Sequence, residues 1–172
     1  MKLEDYIANV PNFPKEGIQF KDITTLVNDK DAFQYAINEL ANWGKELGAT
    51  VVIGPDARGF IIGCPVAYAM HVGFVPVRKP GKLPRATIEE HYDLEYGSNT
   101  LCIHADAIKK GDKVLIIDDL MATGGTVKAT VNLVKRLGGE VVGVGALIEL
   151  EELHGKDLIK GIPFKALVKY DI

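Results

Sequence analysis

Asp118 and Asp119 are adjacent carboxylates that follow the apolar run Lys113–Ile117, and a small, hydroxyl-bearing, glycine-containing turn comes directly after them. The backbone N–H groups of residues 122–126 can form an anion-binding nest at the start of a helix, where the helix dipole also favours negative charge. A phosphate monoester fits such a turn, and the two carboxylates then lie one ribose length away, able to accept hydrogen bonds from vicinal hydroxyls. A plain strand–turn–helix with capping aspartates is the alternative. Two carboxylates at a sheet end are costly without a ligand, so the whole string favours the phosphate site.

A second polar segment, Ala57-Arg58-Gly59-Phe60, follows the β-branched run Thr50–Ile53. An arginine beside backbone amides suits a pyrophosphate, because paired oxygens match the guanidinium fork. Taken alone, the tetrapeptide is explained more simply by an arginine on a solvated turn.

Residues 78–85 combine two prolines and one glycine with four basic side chains, those of Arg78, Lys79, Lys82 and Arg85. Prolines and glycine at this density exclude regular structure. A solvated run of charge is the usual interpretation of such a segment. The functional alternative is a mobile lid that closes over a departing pyrophosphate and excludes water.

Alternating apolar strands and helices must position these segments. The strands are predicted at 50–53, 74–78, 113–117, 141–150 and 164–170, and the helices at 31–47, from about 59 to 70, and from about 126 to 137. Asp31 is the predicted N-cap of the first helix. Residues 3–9 are expected to form helical turns, 11–22 a loop, and 88–103 two antiparallel runs. The pattern predicts an α/β fold with a parallel twisted sheet flanked by helices, Rossmann-like, whose ligands bind at the carboxyl ends of the strands.

Composition narrows the class of protein. The chain has 172 residues, which predicts a single domain over 1–172. Its net charge of −3 argues against a nucleic-acid partner, which usually requires a basic excess. Its longest apolar-rich stretch, 59–70, is too short to span a bilayer, and its N-terminus does not read as a secretory signal. Two isolated cysteines, Cys64 and Cys102, suit a reduced cytoplasm.

The string VLIIDDLMATGGT (114–126) strongly resembles the phosphoribosyl pyrophosphate (PRPP) signature of the type I phosphoribosyltransferases. The resemblance implies that Asp118 and Asp119 hold the ribose hydroxyls of PRPP, and it gives pyrophosphate binding to Ala57, Arg58, Lys79 and Lys82. It implies that the 5′-phosphate is held by Ala122, Thr123, Gly124, Gly125 and Thr126. It also implies a small hood at about 1–25 and a flexible flap at about 79–100.

Four further segments are similar to the adenine-specific members of this family, most closely the short bacterial form. They are PNFPKEGIQFKDIT (11–24), DARGF (56–60), RKPGKLPR (78–85) and DLEYG (93–97). The resemblance implies that Phe20 and Leu120 stack on the purine and that backbone groups around Gln19 and Lys21 read its edge. Glu95 matches the catalytic glutamate of the family.

The implied reaction is transfer of the 5-phosphoribosyl group from PRPP to N9 of adenine, which gives AMP and pyrophosphate in purine salvage. Arg58, Asp118 and Asp119 join Glu95 as the expected catalytic residues. Mg²⁺ is expected to arrive with PRPP and to take no direct protein ligand. The expected partners are these small molecules and a second copy of the chain, with no nucleic acid and no membrane.

The sequence departs from the usual pattern of the adenine-specific members at two positions, which bears on the choice of base. Many members carry arginine where Lys21 stands and an apolar residue where Gln19 stands. Enzymes that act on 6-oxopurines typically carry an aspartate where Ala122 stands, so Ala122 favours adenine. A phosphoribosyltransferase for another base is one alternative function. A non-catalytic PRPP- or nucleotide-binding regulator is another, although such regulators usually add a DNA-binding domain, for which 172 residues leave no room.

Overall fold

Five parallel strands form the central sheet of the computed structural model, which describes residues 1–94 and 97–171. The strands in chain order are β1 (Ala8–Pro11), β2 (Gln19–Asp22), β3 (Val51–Pro55), β4 (Gly73–Val77), β5 (Thr87–Leu94), β6 (Gly97–His104), β7 (Lys113–Met121), β8 (Glu140–Leu150) and β9 (Phe164–Tyr170). The helices are α1 (Thr24–Val27), α2 (Lys30–Glu46), α3 (Arg58–Met70) and α4 (Gly125–Arg136). Short 3₁₀ turns occupy Leu3–Tyr6, Glu151–Leu153 and Gly155–Ile159.

The sheet has the strand order β4-β3-β7-β8-β9. Counted along the chain, this is the doubly wound order 2-1-3-4-5, and the direction of winding reverses between β3 and β7. Ligands of such sheets bind beyond the carboxyl ends of the strands at this reversal. The predicted α/β fold with a parallel sheet flanked by helices is confirmed.

Apolar side chains on both faces of the sheet explain why its strands are almost continuously hydrophobic. Helices α2 and α3 cover one face, where Leu40, Ile62 and Val66 pack with Leu115 and Ile117 of β7. Helix α4 covers the other face, where Val131 and Leu133 pack with Val114 and Ile116. The two central strands, β3 and β7, are therefore held from both sides, which fixes the loops that leave their carboxyl ends.

Three local predictions were wrong near the N-terminus. The segment 3–9 is a single 3₁₀ turn followed by β1, and the predicted loop 11–22 contains β2, which pairs antiparallel with β1. Four-residue strands carry too little periodicity to be recognised. Helix α2 is capped by Asp29 rather than Asp31, because the Asp29 carboxylate accepts the N–H groups of Asp31 and Ala32 at 3.0 and 2.9 Å.

Strand β7 continues past Ile117, where the sequence predicted its end. Asp118 pairs with Ala146, and Leu120 pairs with Ile148. Strand β7 therefore stays paired with the longer strand β8 past both aspartates. Backbone hydrogen bonds in a sheet do not depend on side-chain polarity, which is why a polar pair did not end the strand.

The predicted antiparallel runs are confirmed as the hairpin β5–β6. Glu90 on β5 receives hydrogen bonds from Asn132 and Arg136 of α4, so the hairpin lies against that helix. The proposed limits of the hood and the flap remain predictions. No helix within the described residues is both long and apolar enough to cross a bilayer.

Candidate active site

The candidate site lies at the reversal of strand order, where residues 56–59 leave β3 and residues 118–126 end β7 and begin α4. Three adjoining clefts open there, and all three are lined in part by Leu120. The first cleft is lined by residues 18–21 and 23 and by the ends of β7 and β8, the second by residues 55–59 with Asp118 and Asp119, and the third by residues 118 and 120–127. Arg58 and Asp119 line both the first and the second cleft, and Thr126 lines both the second and the third. The clefts therefore form a row that a single extended ligand can occupy.

Arg58 and Asp119 form an ion pair in the middle of this row. The distance from Arg58 Nε to Asp119 Oδ2 is 3.0 Å. Asp119 is 4% exposed, whereas the Arg58 side chain is 46% exposed. The guanidinium carbon also lies 5.5 Å from the centre of the Phe20 ring. A buried carboxylate is thus paired with a half-exposed guanidinium, which carries five N–H donors in all and can offer some of them to a ligand.

Asp118 is the second carboxylate of the pair and lies beside the second and third clefts. Its Oδ1 accepts the backbone N–H of Asp119 at 2.7 Å. Gly59 allows this carboxylate to sit close to the start of α3, since a Cβ at position 59 would lie 3.2 Å from Asp118 Oδ1. Burial, and then the negative charge of Asp119, raise the pKa of Asp118 well above its usual range, and Arg58 opposes this only in part. A hydrogen-bond donor or a cation beside Asp118 would therefore favour its charged form.

The third cleft is the turn that precedes α4. It is lined by Ala122, Thr123, Gly124, Gly125 and Thr126, together with Asp118, Leu120, Met121 and Val127. Gly124 has φ +89°, which turns the chain into the helix. The first residues of the twelve-residue helix α4 and the two threonines, Thr123 and Thr126, line one small space. A helix start of this kind binds a phosphate.

A second glycine supports this turn from behind. A Cβ at Gly124 would lie 2.5 Å from the carbonyl oxygen of Gly155, and a Cβ at Gly155 would collide with the carbonyl oxygen of Ala122. Gly155 is next to Lys156, whose Nζ lies 3.8 Å from a carboxylate oxygen of the fully buried Glu149. The shape of the turn thus depends on close backbone packing that side chains would prevent.

The first cleft, of about 150 Å³, is mainly apolar. Its walls include Gln19, Phe20, Lys21, Leu120, Ile18, Ile23, Ile148 and Leu150, with Arg58 and Asp119 at the end nearest the second cleft. Phe13 contacts Phe20 edge-on, with ring centroids 5.2 Å apart. A flat aromatic ligand suits this space, because Phe20 and Leu120 offer apolar surfaces for it to stack on.

The side chains of Gln19 and Lys21 are engaged by Asn9 of the neighbouring strand. Asn9 Nδ2 donates to Gln19 Oε1 at 2.8 Å, and Lys21 Nζ donates to Asn9 Oδ1 at 2.8 Å. The Lys21 ammonium also lies 4.4 Å from the centre of the Tyr170 ring. Both polar termini are therefore occupied outside the cleft, and the backbone of β2 is left to meet a ligand edge.

The predicted basic segment lies farther out. Lys79 and Lys82 are exposed and do not line the three clefts. Arg78 Nε pairs with Asp56 Oδ2 at 2.9 Å, next to the second cleft, and Arg85 forms a two-pronged ion pair with Asp106. Glu95 lies outside the residues that the structure describes.

Several contributors to the site were missed by sequence reasoning. Tyr92 reaches the turn at 122–126 from the hairpin, Gly155 supports that turn, and Ile148 and Leu150 complete the apolar cleft. The last two could have been anticipated, since they end a buried strand next to β7. Tyr92 and Gly155 carry no local signal.

A model of the phosphoribosyl transferase domain matches residues 23–165, which include the second and third clefts and most of the first. The fold and the site define a phosphoribosyltransferase. The adenine phosphoribosyltransferase of Streptococcus thermophilus is 55% identical over 170 residues, which cover 99% of each chain.

Solved structures agree with this relative. The adenine phosphoribosyltransferase of Thermoanaerobacter pseudethanolicus has a TM-score of 0.94 at 46% identity, covering 98% of each chain. That of Saccharomyces cerevisiae, solved with an imino-altritol bisphosphate and adenine, has a TM-score of 0.89 at 36% identity, covering 96% of each chain. The chain belongs to the adenine phosphoribosyltransferase family.

Proposed function

We propose that the chain transfers the 5-phosphoribosyl group of PRPP to N9 of adenine, giving AMP and pyrophosphate. The observation that carries this assignment is the row of three clefts, apolar, then charged, then an anion-binding turn. Their order matches a base, a ribose with its leaving group, and a 5′-phosphate. The yeast relative was solved with adenine and an imino-altritol bisphosphate, which supports a base and a phosphorylated group as the ligands.

Adenine occupies the first cleft, between Phe20 and Leu120. Its edge carries an amino donor at N6 beside an acceptor at N1, which a backbone C=O and N–H pair of β2 complements. The side-chain termini of Gln19 and Lys21 are engaged by Asn9, and this supports recognition by the backbone rather than by side chains. Ala122 leaves the phosphate turn without the carboxylate that 6-oxopurine enzymes typically carry.

The ribose lies beside Asp118 and Asp119, whose oxygens accept its vicinal hydroxyls. In the reaction, N9 forms a bond to C1′ while the bond from C1′ to the pyrophosphate oxygen breaks, and the electron pair of that bond leaves with pyrophosphate. The transition state carries positive charge on the ribose, like an oxocarbenium ion. The carboxylates of Asp118 and Asp119 stabilise it electrostatically, and the positive charge that develops on the ribose favours the ionised form of Asp118.

Pyrophosphate departs into the second cleft, which is lined by Ala57 and Arg58. Lys79 and Lys82 approach it when the flap closes, and they neutralise the charge that develops on the leaving oxygens. Hydrogen exchange of residues 79–85 tests this closure. Protection should rise when PRPP is added, and strong protection that is equal with and without PRPP would remove the flap from the reaction.

Glu95 accepts the proton that adenine loses as N9 bonds to the ribose, or orients the base for that loss. In the sequence, Glu95 lies between the last residue of β5, Leu94, and the first residue of β6, Gly97. The role of its carboxylate at the base is the one that the family resemblance gives it.

Mg²⁺ arrives bound to PRPP. The residues present fit such a complex, because Asp118 and Asp119 place two carboxylates at the second cleft, and a nearby cation would favour the charged form of Asp118, whose pKa is raised. The ion would supply charge neutralisation for the pyrophosphate. Asp118 and Asp119 would hold the ribose hydroxyls, and Arg58 would hold the pyrophosphate oxygens.

The working form is a homodimer in the cytoplasm. Helix α3 presents an exposed apolar stripe that includes Ile61, Cys64 and Tyr68, with Tyr68 89% exposed. The family resemblance predicts that a second copy of the chain covers this stripe. Light scattering, which measures the mass of the assembly in solution, tests this. Both cysteines are free thiols, which suits a reducing compartment.

Incubation with PRPP, adenine and Mg²⁺ tests the assignment. We expect AMP and pyrophosphate to form in equal amounts, and chelation of the metal to stop both. AMP formation that is absent with adenine but present with another base would contradict the choice of base. PRPP binding without turnover of any base would instead favour a regulator.

A further inference from the structure

Tyr92, on β5, contacts the first turn of α4. Its hydroxyl lies 3.2 Å from Thr126 Oγ1. Its ring also lies against Gly125, where an added Cβ would come within 3.1 Å of Cδ2 and 3.2 Å of Cε2. The glycine therefore allows the ring to approach the turn, and the half-buried tyrosine touches two of the residues assigned to the 5′-phosphate.

The same strand is fastened to the same helix farther along. Glu90 Oε2 accepts a hydrogen bond from Asn132 at 3.0 Å, and Arg136 donates to the carbonyl oxygen of Glu89 and approaches Glu90 Oε1 at 3.3 Å. Contacts therefore run along α4 from Thr126 to Arg136. Strand β5 then leads directly to residues 95 and 96.

The hydrogen-bonding capacity of the Thr126 hydroxyl indicates which of the two groups donates in its contact with Tyr92. A threonine hydroxyl has one proton to donate, and its oxygen can also accept a hydrogen bond. When Thr126 donates its proton to a phosphate oxygen, it has no second proton for Tyr92, so in that state it can only accept in the contact between the two hydroxyls. Tyr92 lies at hydrogen-bonding distance from the Thr126 oxygen and can donate to it, which points the Thr126 proton towards the cleft.

We propose that Tyr92 is a positioning residue for the 5′-phosphate: it orients the Thr126 hydroxyl and joins the phosphate turn to the hairpin β5–β6. The proposal rests on the proposed function, since it takes the turn at 122–126 as the 5′-phosphate site. By linkage, phosphate binding and docking of β5 on α4 then favour each other. A bound 5′-phosphate thereby steadies the strand that leads to Glu95.

Tyr92→Phe removes the hydroxyl and keeps the ring. We expect KM for PRPP to rise about two- to tenfold, the range for one neutral hydrogen bond, while KM for adenine stays unchanged. Calorimetry with ribose 5-phosphate, which has the phosphate but no base or pyrophosphate, should show the same factor in Kd. Tyr35→Phe, on the exposed side of α2, is the matched control and should change neither constant.

A double-mutant cycle with Thr126→Val separates this role from a general structural one. If Tyr92 acts through the Thr126 hydroxyl, Tyr92→Phe should have almost no further effect on ribose 5-phosphate binding in the Thr126→Val background. The same loss in both backgrounds would overturn the proposal, as would an equal rise in KM for adenine. If the wild type makes AMP but Tyr92→Phe binds ribose 5-phosphate normally, this proposal fails and the proposed function stands. If the wild type makes no AMP, the proposed function fails, and the ribose 5-phosphate cycle still decides the role of Tyr92.

Discussion

Arg58 Nε lies 3.0 Å from Asp119 Oδ2, and this ion pair joins the two segments that meet where the strand order reverses. One partner opens α3, and the other lies near the end of β7. The pair also lies between the apolar first cleft and the charged second cleft, since Arg58 and Asp119 each line both clefts. A paired positive and negative group thus lies at the border of these two clefts, where the proposed sites for the base and the ribose adjoin.

Asp119→Asn should reduce kcat far more than it reduces stability. Loss of one preorganised electrostatic contact typically lowers kcat by about 10²–10³-fold. Arg58 is half exposed and stays hydrated after the change, so we expect a loss of about 1 kcal/mol or less, seen as a Tm lower by about 2–4 °C. Asp31→Asn, at an exposed ion pair on α2, is the control for charge loss alone. Near wild-type kcat combined with a large fall in Tm would mean that Asp119 serves the fold rather than the reaction.

Asp118→Asn should stabilise the ligand-free protein at neutral pH while lowering activity. The pKa of Asp118 is higher in the folded chain than in the unfolded chain, so ionisation is disfavoured by folding. The stability that the carboxyl contributes is fully present below its unfolded pKa of about 3.9 and is lost as pH rises through the folded pKa. Asparagine cannot ionise, and its Oδ1 can still accept the Asp119 amide.

Thermal melting at a series of pH values measures this effect. The difference in Tm between Asp118→Asn and the wild type should grow as pH rises from about 4 towards neutrality, and each kcal/mol gained appears as about 2–4 °C. A variant that is less stable than the wild type at pH 7 would show that the Asp118 charge supports the fold.

Gly155→Ala should damage the phosphate turn, although residue 155 lies outside the recognised motif. The new Cβ would collide with the carbonyl oxygen of Ala122 and lie 3.0 Å from the Gly124 nitrogen. We expect about 1–3 kcal/mol of destabilisation and a higher KM for PRPP. Gly73→Ala is the control, since its Cβ would meet nothing within 4 Å. Unchanged KM in Gly155→Ala would show that the turn tolerates displacement.

Substitutions at Phe20 and Lys21 should distinguish stacking on the base from recognition of its edge in the first cleft. Phe20→Ala removes a surface that stacks on adenine, and base–aromatic stacking is worth about 1–3 kcal/mol, so KM for adenine should rise about 5- to 150-fold. Lys21→Ala should change it little, because the Lys21 ammonium is bound to Asn9 and lies over Tyr170. A larger effect at Lys21 than at Phe20 would mean that side chains read the base.

The sequence predicted the sheet and the two loops of the site because long apolar runs lead into them and the signature at 114–126 is specific. It did not predict β2, whose four residues pair with β1 and carry no pattern of their own. Nor did it predict that Tyr92 and Gly155 meet the phosphate turn, since these contacts join segments about 30 residues apart in the chain. Local patterns specify elements, whereas contacts between elements depend on how the layers pack.

The most direct test of the account compares AMP formation from adenine with IMP formation from hypoxanthine, each with PRPP and Mg²⁺. Hypoxanthine presents an acceptor at O6 beside a donor at N1, the reverse of the adenine edge, so once bound it would cover backbone groups of β2 and leave them unpaired. We expect kcat/KM for hypoxanthine to be lower than for adenine by about 10⁴–10⁵, the discrimination that such unpaired groups can produce. Comparable kcat/KM values for the two bases would contradict the account.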